Sequence, residues 1–323
     1  MRHYCTLFDR NYIDRGLTLY RSLERHGGGF KLHILCLDEA TQQALSLLAL
    51  PHAQLVGLGA LQAWDPALAQ ARGNRGMVEF YFTCKPFLLG YVREREPHAT
   101  RIEYLDSDLW FFSSPASIEP GYAASSVALS PHRFDAANKW RRRFGEFNAG
   151  WVSVSTSGEG CRFVAWWRER CIESAALVPG GEVFGDQKYL DQVPGLFPSA
   201  VKVDEPGVNL APWNLAATHI EHDAQAVRVN GRPLVVFHFH GMRRMLFNLH
   251  ESGLHDYRVA LTPAIRDGIY RPYVSELVAS RRRLAALPAG VREQLTGSRP
   301  AGAGRELVRT VRAVLRQTVV APA

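Results

Sequence analysis

Short apolar runs alternate with amphipathic stretches from the first residues onward. Tyr4 to Phe8 reads as a strand, and Asp9-Arg10-Asn11-Tyr12 opens a helical pattern through Leu17, Tyr20 and Leu23 that Gly27 to Gly29 stop. Leu32 to Leu37 is a second strand closed by Asp38, residues 39–50 are helical, and 53–58 fit a third strand. Asn74 to Arg93 makes a helix, carrying Lys85, that leads into the strand before Asp106. Such β-α-β-α-β alternation predicts an α/β fold, a mostly parallel sheet with helices on its faces that binds ligands at its strand ends. Another αβ unit is expected over 127–154, running through the basic patch Lys139 to Arg143. Residues 161–177 are helical, with Trp166 and Trp167 in the core, and Pro233 to Gly241 is a last apolar stretch.

The stretch Ile102 to Phe112 changes the picture from fold to chemistry. Two apolar runs enclose Asp106-Ser107-Asp108. In a regular strand, carboxylates one residue apart point to the same face. Held so close they repel, and a proton or a cation relieves them. A hard divalent cation with oxygen ligands does so and would also neutralise a bound diphosphate. A bare Asp-x-Asp is most often a solvated turn, but apolar residues on both sides make solvation the poorer account. His238 alone reads as a packed strand histidine; His240, two residues on, shares its face and makes the pair harder to dismiss.

Composition narrows the class. The 323 residues are 46% apolar and 21% charged, ordinary for a soluble globular protein. Cysteines 5, 36, 84, 161 and 171 are scattered, which points to a reducing, cytoplasmic setting rather than a disulfide framework. The opening Met-Arg-His-Tyr-Cys-Thr carries no apolar core of a secretory signal, and the longest charge-free stretch, 40–64, is broken by Pro51 and polar residues. Net charge is +7, yet nine arginines against three acids lie beyond Tyr273, so the body is near neutral. A nucleic-acid-binding body would carry its basic patch on the folded domain, so nucleic acid is not an expected partner. On a helical wheel Arg305, Arg309, Arg312 and Arg316 cluster opposite Leu307, Val311, Val314 and Leu315, which suits either an anionic membrane surface or docking on the domain.

The order of these motifs resembles nucleotide-sugar glycosyltransferases of the GT-A fold, nearest to family 8 enzymes such as glycogenin and lipooligosaccharide galactosyltransferases, or a sister bacterial family. The likeness spans about residues 4–245. It implies that Phe8, Asp9, Asn11 and Tyr12 hold the nucleoside, with Tyr12 stacked on the base, and that Lys85 contacts the donor. It implies that Asp106, Asp108 and His238 ligate Mn²⁺ or Mg²⁺, with Ser107 between the acids. Phe147-Asn148-Ala149-Gly150 would line the sugar site, Asp186 and Gln187 would flank the reacting centre, and Gly241 and Arg244 would hold the diphosphate. The expected donor is a UDP-sugar and the acceptor a carbohydrate or lipid-linked glycan. Arg10 stands where the family has an acid, and the Lys-Pro-Trp after His-x-x-Gly is Arg-Met-Leu-Phe here. Rival expectations are a haloacid-dehalogenase-like phosphohydrolase and a non-catalytic sugar-nucleotide-binding protein on a decayed transferase fold. The expected layout is one domain over 1–275 and a partly helical basic tail over 276–323.

Overall fold

A computed structural model describes residues 1–178, 181–223, 226–296 and 303–323. Strand β1 (Arg2–Phe8) leads to helix α1 (Ile13–His26), β2 (Phe30–Cys36) to α2 (Glu39–Leu48), and β3 (Ala53–Gly57) to α3 (Met77–Arg95). Asp38 caps α2 by accepting from the Thr41 amide, so the residue closing β2 also starts the next helix. Then follow β4 (Arg101–Leu105), β5 (Leu109–Phe111), β6 (Val127–Pro131), β7 (Phe147–Ser155), α4 (Gly158–Glu173) and β8 (Val201–Lys202).

The main sheet has seven strands in the order β3-β2-β1-β4-β7-β6-β8. Its first four strands are parallel; β7 runs antiparallel to both β4 and β6. The unit expected as αβ over 127–154 is therefore an antiparallel pair joined through a short 3₁₀ turn at Lys139–Phe144. A run of arginines has no apolar stripe to bury, so it forms a turn rather than a crossover helix.

Two layers of apolar side chains sandwich the sheet. Leu7, Leu35, Phe80, Phe87 and Trp167 pack on one face, beneath α3 and α4. Phe8, Leu17, Tyr20, Ile34 and Leu105 pack on the other, beneath α1. A smaller lobe holds the hairpins β9 (Ile220–His222), β10 (Val227–Val229) and β11 (Arg232–Pro233), and also β12 (Val236–His238), which pairs with β5. Beyond it β13 (Arg243–Arg244), β14 (His250–Glu251) and β15 (Val319–Val320) form a third small sheet.

The boundary expected at 275 falls inside helix α5 (Arg271–Ala285), which buries Tyr273, Val274 and Leu277 and packs on α1. Thr18 and Ser280 hydroxyls meet at 3.0 Å, and Arg281 donates to Asp14 at 2.7 Å. After α5, helix α6 (Ala303–Leu315) docks through Thr310 and Ala313, leaves Val308, Val311, Val314 and Leu315 exposed, and feeds β15. The expected positions of Arg305 and Leu307 lie outside the residues whose side chains are described. Among the described residues no helix is long and apolar enough to cross a membrane, and all five cysteines are free thiols.

Candidate functional site

The strand order brings three loops to one edge of the sheet. β1 and β4 end there, and antiparallel β7 begins there, so Asp9, Asp106 and Asn148 share that edge. Asp106 is the first residue past β4; its amide donates to the Gly150 carbonyl at 2.8 Å, and the Leu109 amide donates back to the Asp106 carbonyl at 3.1 Å. The acid pair thus sits at a strand end, as expected, but in a tight turn rather than in extended backbone, because the chain leaves the large sheet at Asp106 and joins β12 from Leu109. Leu109 pairs with His238, and the Phe239 amide donates to the Asp108 carbonyl at 2.9 Å. That register closes the long sequence gap between the acids and the histidine.

The two oxygens of Asp106 have different surroundings. Oδ1 accepts from the Lys85 ammonium and from the Tyr104 hydroxyl, both at 3.0 Å, while Oδ2 faces His238 Nε2 at 3.9 Å. His238 Nε2 lies 3.0 Å from Asp108 Oδ1. Asp108, His238 and His240 form the tightest ligand cluster of this edge, with donor atoms within 4.8 Å of one another. Burial opposes the charged forms of Asp108 and His238, but their mutual attraction prevails, lowering the carboxyl pKa and raising the imidazole's. This attraction between Asp108 and the His238 imidazole marks the place where a cation would relieve the acids. Two carboxylates with imidazole nitrogens on a partly open edge fit Mn²⁺, and fit Mg²⁺ less well the more imidazoles take part.

Lys85 is buried on α3 between two acids, 3.0 Å from Asp106 and 3.1 Å from Asp186. Burial works against its ammonium, yet Asp106 and Asp186 outweigh it and raise its pKa. Its charge is paired with those two carboxylates, so it positions Asp106, and it also lines the candidate cavity. Asp186, buried and also facing the Asp106 charge, is pushed up to about 6 despite Lys85. Gly185 before it holds φ +60° with the Phe82 ring 3.1 Å from where a Cβ would stand, so a glycine is required at this turn.

Asn148 ties residues 147–150 to their neighbours. Its Nδ2 donates to Gln187 Oε1 at 3.1 Å, and its Oδ1 accepts from the Gly150 amide and from Asn209 Nδ2, each at 3.0 Å. Gln187 in turn donates to the Phe144 carbonyl at 2.9 Å. A cavity of about 400 Å³ gathers Lys85, Asp106, Asn148, Ala149, Gly150, Asp186, Gln187 and His238. Around it His238 Nδ1, Asn209 Oδ1 and Trp213 Nε1 are buried without a protein partner. Such atoms are costly to leave unpaired, and a polar ligand would satisfy them. A more open cavity of about 530 Å³ under α6 touches none of these residues and lies apart from the chemistry.

Other expected residues stand differently. Tyr12 is 44% exposed, and the Arg15 guanidinium covers its ring at 4.2 Å. Asp9 accepts from both the amide and the side chain of Asn11 at 2.9 Å. Partial burial raises the Tyr12 hydroxyl pKa against the opposing pull of Arg15, and the charges of Asp108 and Asp9 add to the rise. Phe8 is a correction: its ring is packed beneath Gly16 in the core, leaving only its backbone for a ligand. Ser107 is buried in the turn; Gly241, at φ +76°, lies against Gly253, and neither Gly241 nor Arg244 lines the cavity.

His132, Phe134, Arg141, Trp213 and Tyr257 line the cavity without having been expected there. Trp213 stands edge-on to His132, His238 and His240, at 5.1, 5.1 and 5.5 Å between ring centroids. The sequence signal for it was the segment Asn209 to Asn214, a Pro-Trp between two asparagines; its distance from the acid pair along the chain hid its role.

No family model matches the sequence. Two proteins of Bacillus subtilis (strain 168) do match. The uncharacterized protein YfnF is 32% identical over 261 residues, covering 77% of this chain and 86% of YfnF. The uncharacterized protein YfnD is 30% identical over 281 residues, covering 85% of this chain and 88% of YfnD. The chain belongs to the family of YfnF and YfnD. Among solved structures the bifunctional glycosyltransferase WbbM, in its apo form, superposes with a TM-score of 0.50 at 13% identity, over 91% of this chain and 52% of WbbM. The galactosyltransferase LgtC, in complex with donor and acceptor sugar analogs, gives 0.49 at 15% identity over 90% and 99%. The fold of this family member is that of the GT-A glycosyltransferases, a mixed and mostly parallel sheet flanked by helices. In this fold the acid pair follows the fourth strand, at the centre of the sheet.

Proposed function

We propose that the protein is a metal-dependent glycosyltransferase that moves a sugar from a nucleotide-sugar, a UDP-sugar above others, to a carbohydrate or lipid-linked acceptor. The observation that carries this reading is the meeting of Asp106, Asp108 and His238 with Asn148, Asp186 and Gln187 at one sheet edge. All but Asp108 line the same cavity, and Asp108 reaches it through His238. Asp106 Oδ2, Asp108, His238 and, by its position, His240 would hold Mn²⁺ or Mg²⁺, and the cation would supply charge to a departing diphosphate.

The chain's own residues do the rest. Lys85 and Tyr104 fix one oxygen of Asp106 and so aim the other. Asn148 and Gln187 present a rigid polar wall to the sugar, since each is anchored by other hydrogen bonds. Asp186, with its pKa near 6, can orient an acceptor hydroxyl or take its proton. Tyr12 offers an open aromatic face for a base. The test is release of UDP from a panel of UDP-sugars with Mn²⁺, with and without EDTA. Turnover that needs the cation is expected; full turnover in EDTA, or none with any sugar nucleotide, would remove the reading.

A further inference from the structure

A second cluster of ligating side chains lies on the half of the sheet away from this edge. His3 on β1 and His33 on β2 are both buried, and Glu96 caps the C-terminal end of α3. His3 Nδ1 is 3.5 Å from His33 Nε2 and 3.7 Å from Glu96 Oε2, and His33 Nε2 is 3.6 Å from Glu96 Oε1. Zinc–nitrogen and zinc–oxygen bonds of 2.0–2.2 Å at tetrahedral angles place neighbouring ligand atoms about 3.3–3.5 Å apart. The spacing between the ring nitrogens, and the distance from each ring nitrogen to one of the two Glu96 oxygens, lie within a few tenths of an ångström of that range. One ligand atom from each of the three residues falls within 4.8 Å of the others.

We propose that His3, His33 and Glu96 form a second metal site, taking a transition-metal dication of the zinc class. Two imidazoles and one carboxylate favour such an ion over Mg²⁺ or Ca²⁺, which call for oxygen ligands. Burial lowers the pKa of both histidines, so they offer lone pairs at neutral pH. Glu96 sits where its own helix dipole disfavours an anion, which a cation corrects. Lys31 now supplies that cation, ion-paired with Glu96 from a partly exposed position from which it can swing away. A cavity of about 310 Å³ bordered by Lys31, His33 and Glu96 gives an entry path and room for a solvent ligand. Bound there, the metal ties β1, β2 and the end of α3 together.

The experiment is a Co²⁺ titration of the untagged full chain, read by visible absorption, in an Asp108→Asn/His238→Ala background that silences the candidate active site. One equivalent of Co²⁺, displaced by Zn²⁺, is expected, with a rise in melting temperature. Glu96→Gln, at a partly exposed helix end, should weaken binding at least ~10-fold, and His3→Gln should do the same if it folds. Lys31→Gln removes a competing charge and should tighten binding. The melting temperature of each metal-free variant reports whether it is folded. Absence of saturable binding in folded Lys31→Gln, or affinity unchanged by Glu96→Gln, overturns the proposal. Neither result touches the transferase reading, which rests on the other edge.

Discussion

At Gly150 the site has least room. A Cβ there would lie 2.6 Å from both Asn148 Oδ1 and His238 Cε1, and 2.9 Å from Asp106 Oδ2. Gly150→Ala should therefore lower kcat/KM at least ~100-fold while the protein still folds, because a misplaced ligand costs far more in rate than in stability. Near-wild-type turnover in a folded Gly150→Ala protein would show that these groups do not act together. Asp108→Asn keeps the shape and removes a charge; Mn²⁺-dependent UDP release should fall by orders of magnitude in protein that still unfolds cooperatively, with a lowered melting temperature because His238 loses its ion partner. Lys85 is a different case, since its role is to neutralise two acids. Removing one partner of a buried ionic network costs ~3–5 kcal/mol, so Lys85→Met should shift the urea midpoint strongly downward. A midpoint within error of wild type would mean that Asp106 and Asp186 do not depend on it.

Loops at strand ends, more than strands or helices, set what the protein can bind. Tyr12 stands at the start of α1 with an open ring face, and stacking on a base contributes ~1–3 kcal/mol. Tyr12→Ala should weaken UDP about tenfold, measured by calorimetry; unchanged affinity would remove the loop from the donor site. The elements themselves were legible: apolar runs and glycine stops placed β1, α1, β2, α2 and β3 within a few residues of their observed ends. The acid pair stood out in the sequence because apolar runs flank it on both sides, although the chain turns there rather than continuing as a strand. The reversed strand β7 was not legible, because a buried strand looks the same in either direction and only its neighbours reveal which way it runs. Nor was the role of Lys85, which depends on Asp186 arriving from a distant segment. The resemblance named His238 alone as the imidazole ligand, with His240 only sharing its face. His240 lies within the ligand cluster of Asp108 and His238, so His240→Ala should also lower Mn²⁺ affinity.

Across the whole molecule, buried neutral histidines couple stability to pH. Burial holds His132 at about 3 and His250 at about 4, and His250 Nε2 stays neutral to accept from Arg281 at 2.8 Å. Unfolded histidines titrate near ~6.5. The unfolded chain therefore binds more protons below that pH, and stability is full above it and lost as pH falls from ~6.5 towards 4. The slope is about 1.4 kcal/mol per pH unit for each histidine. Urea midpoints should drop clearly between pH 7 and pH 5; identical midpoints would mean that the two rings are protonated in the fold. The course of the chain also warns against trimming at the expected boundary, since a cut after Tyr273 would remove most of α5 from the core. A last consequence follows from the turn at Asp106. Asp106 is hydrogen-bonded to the large sheet through Gly150, whereas Asp108 and His238 ride on the separate pair β5 and β12. The candidate ligands thus come from two separately hydrogen-bonded sheets that share one apolar core, and an ion bound among them would tie the short pair to the large sheet. Amide hydrogens of Leu109–Phe111 and Val236–His238 should then exchange more slowly once Mn²⁺ and UDP are added, while those at the centre of β1 keep their pace.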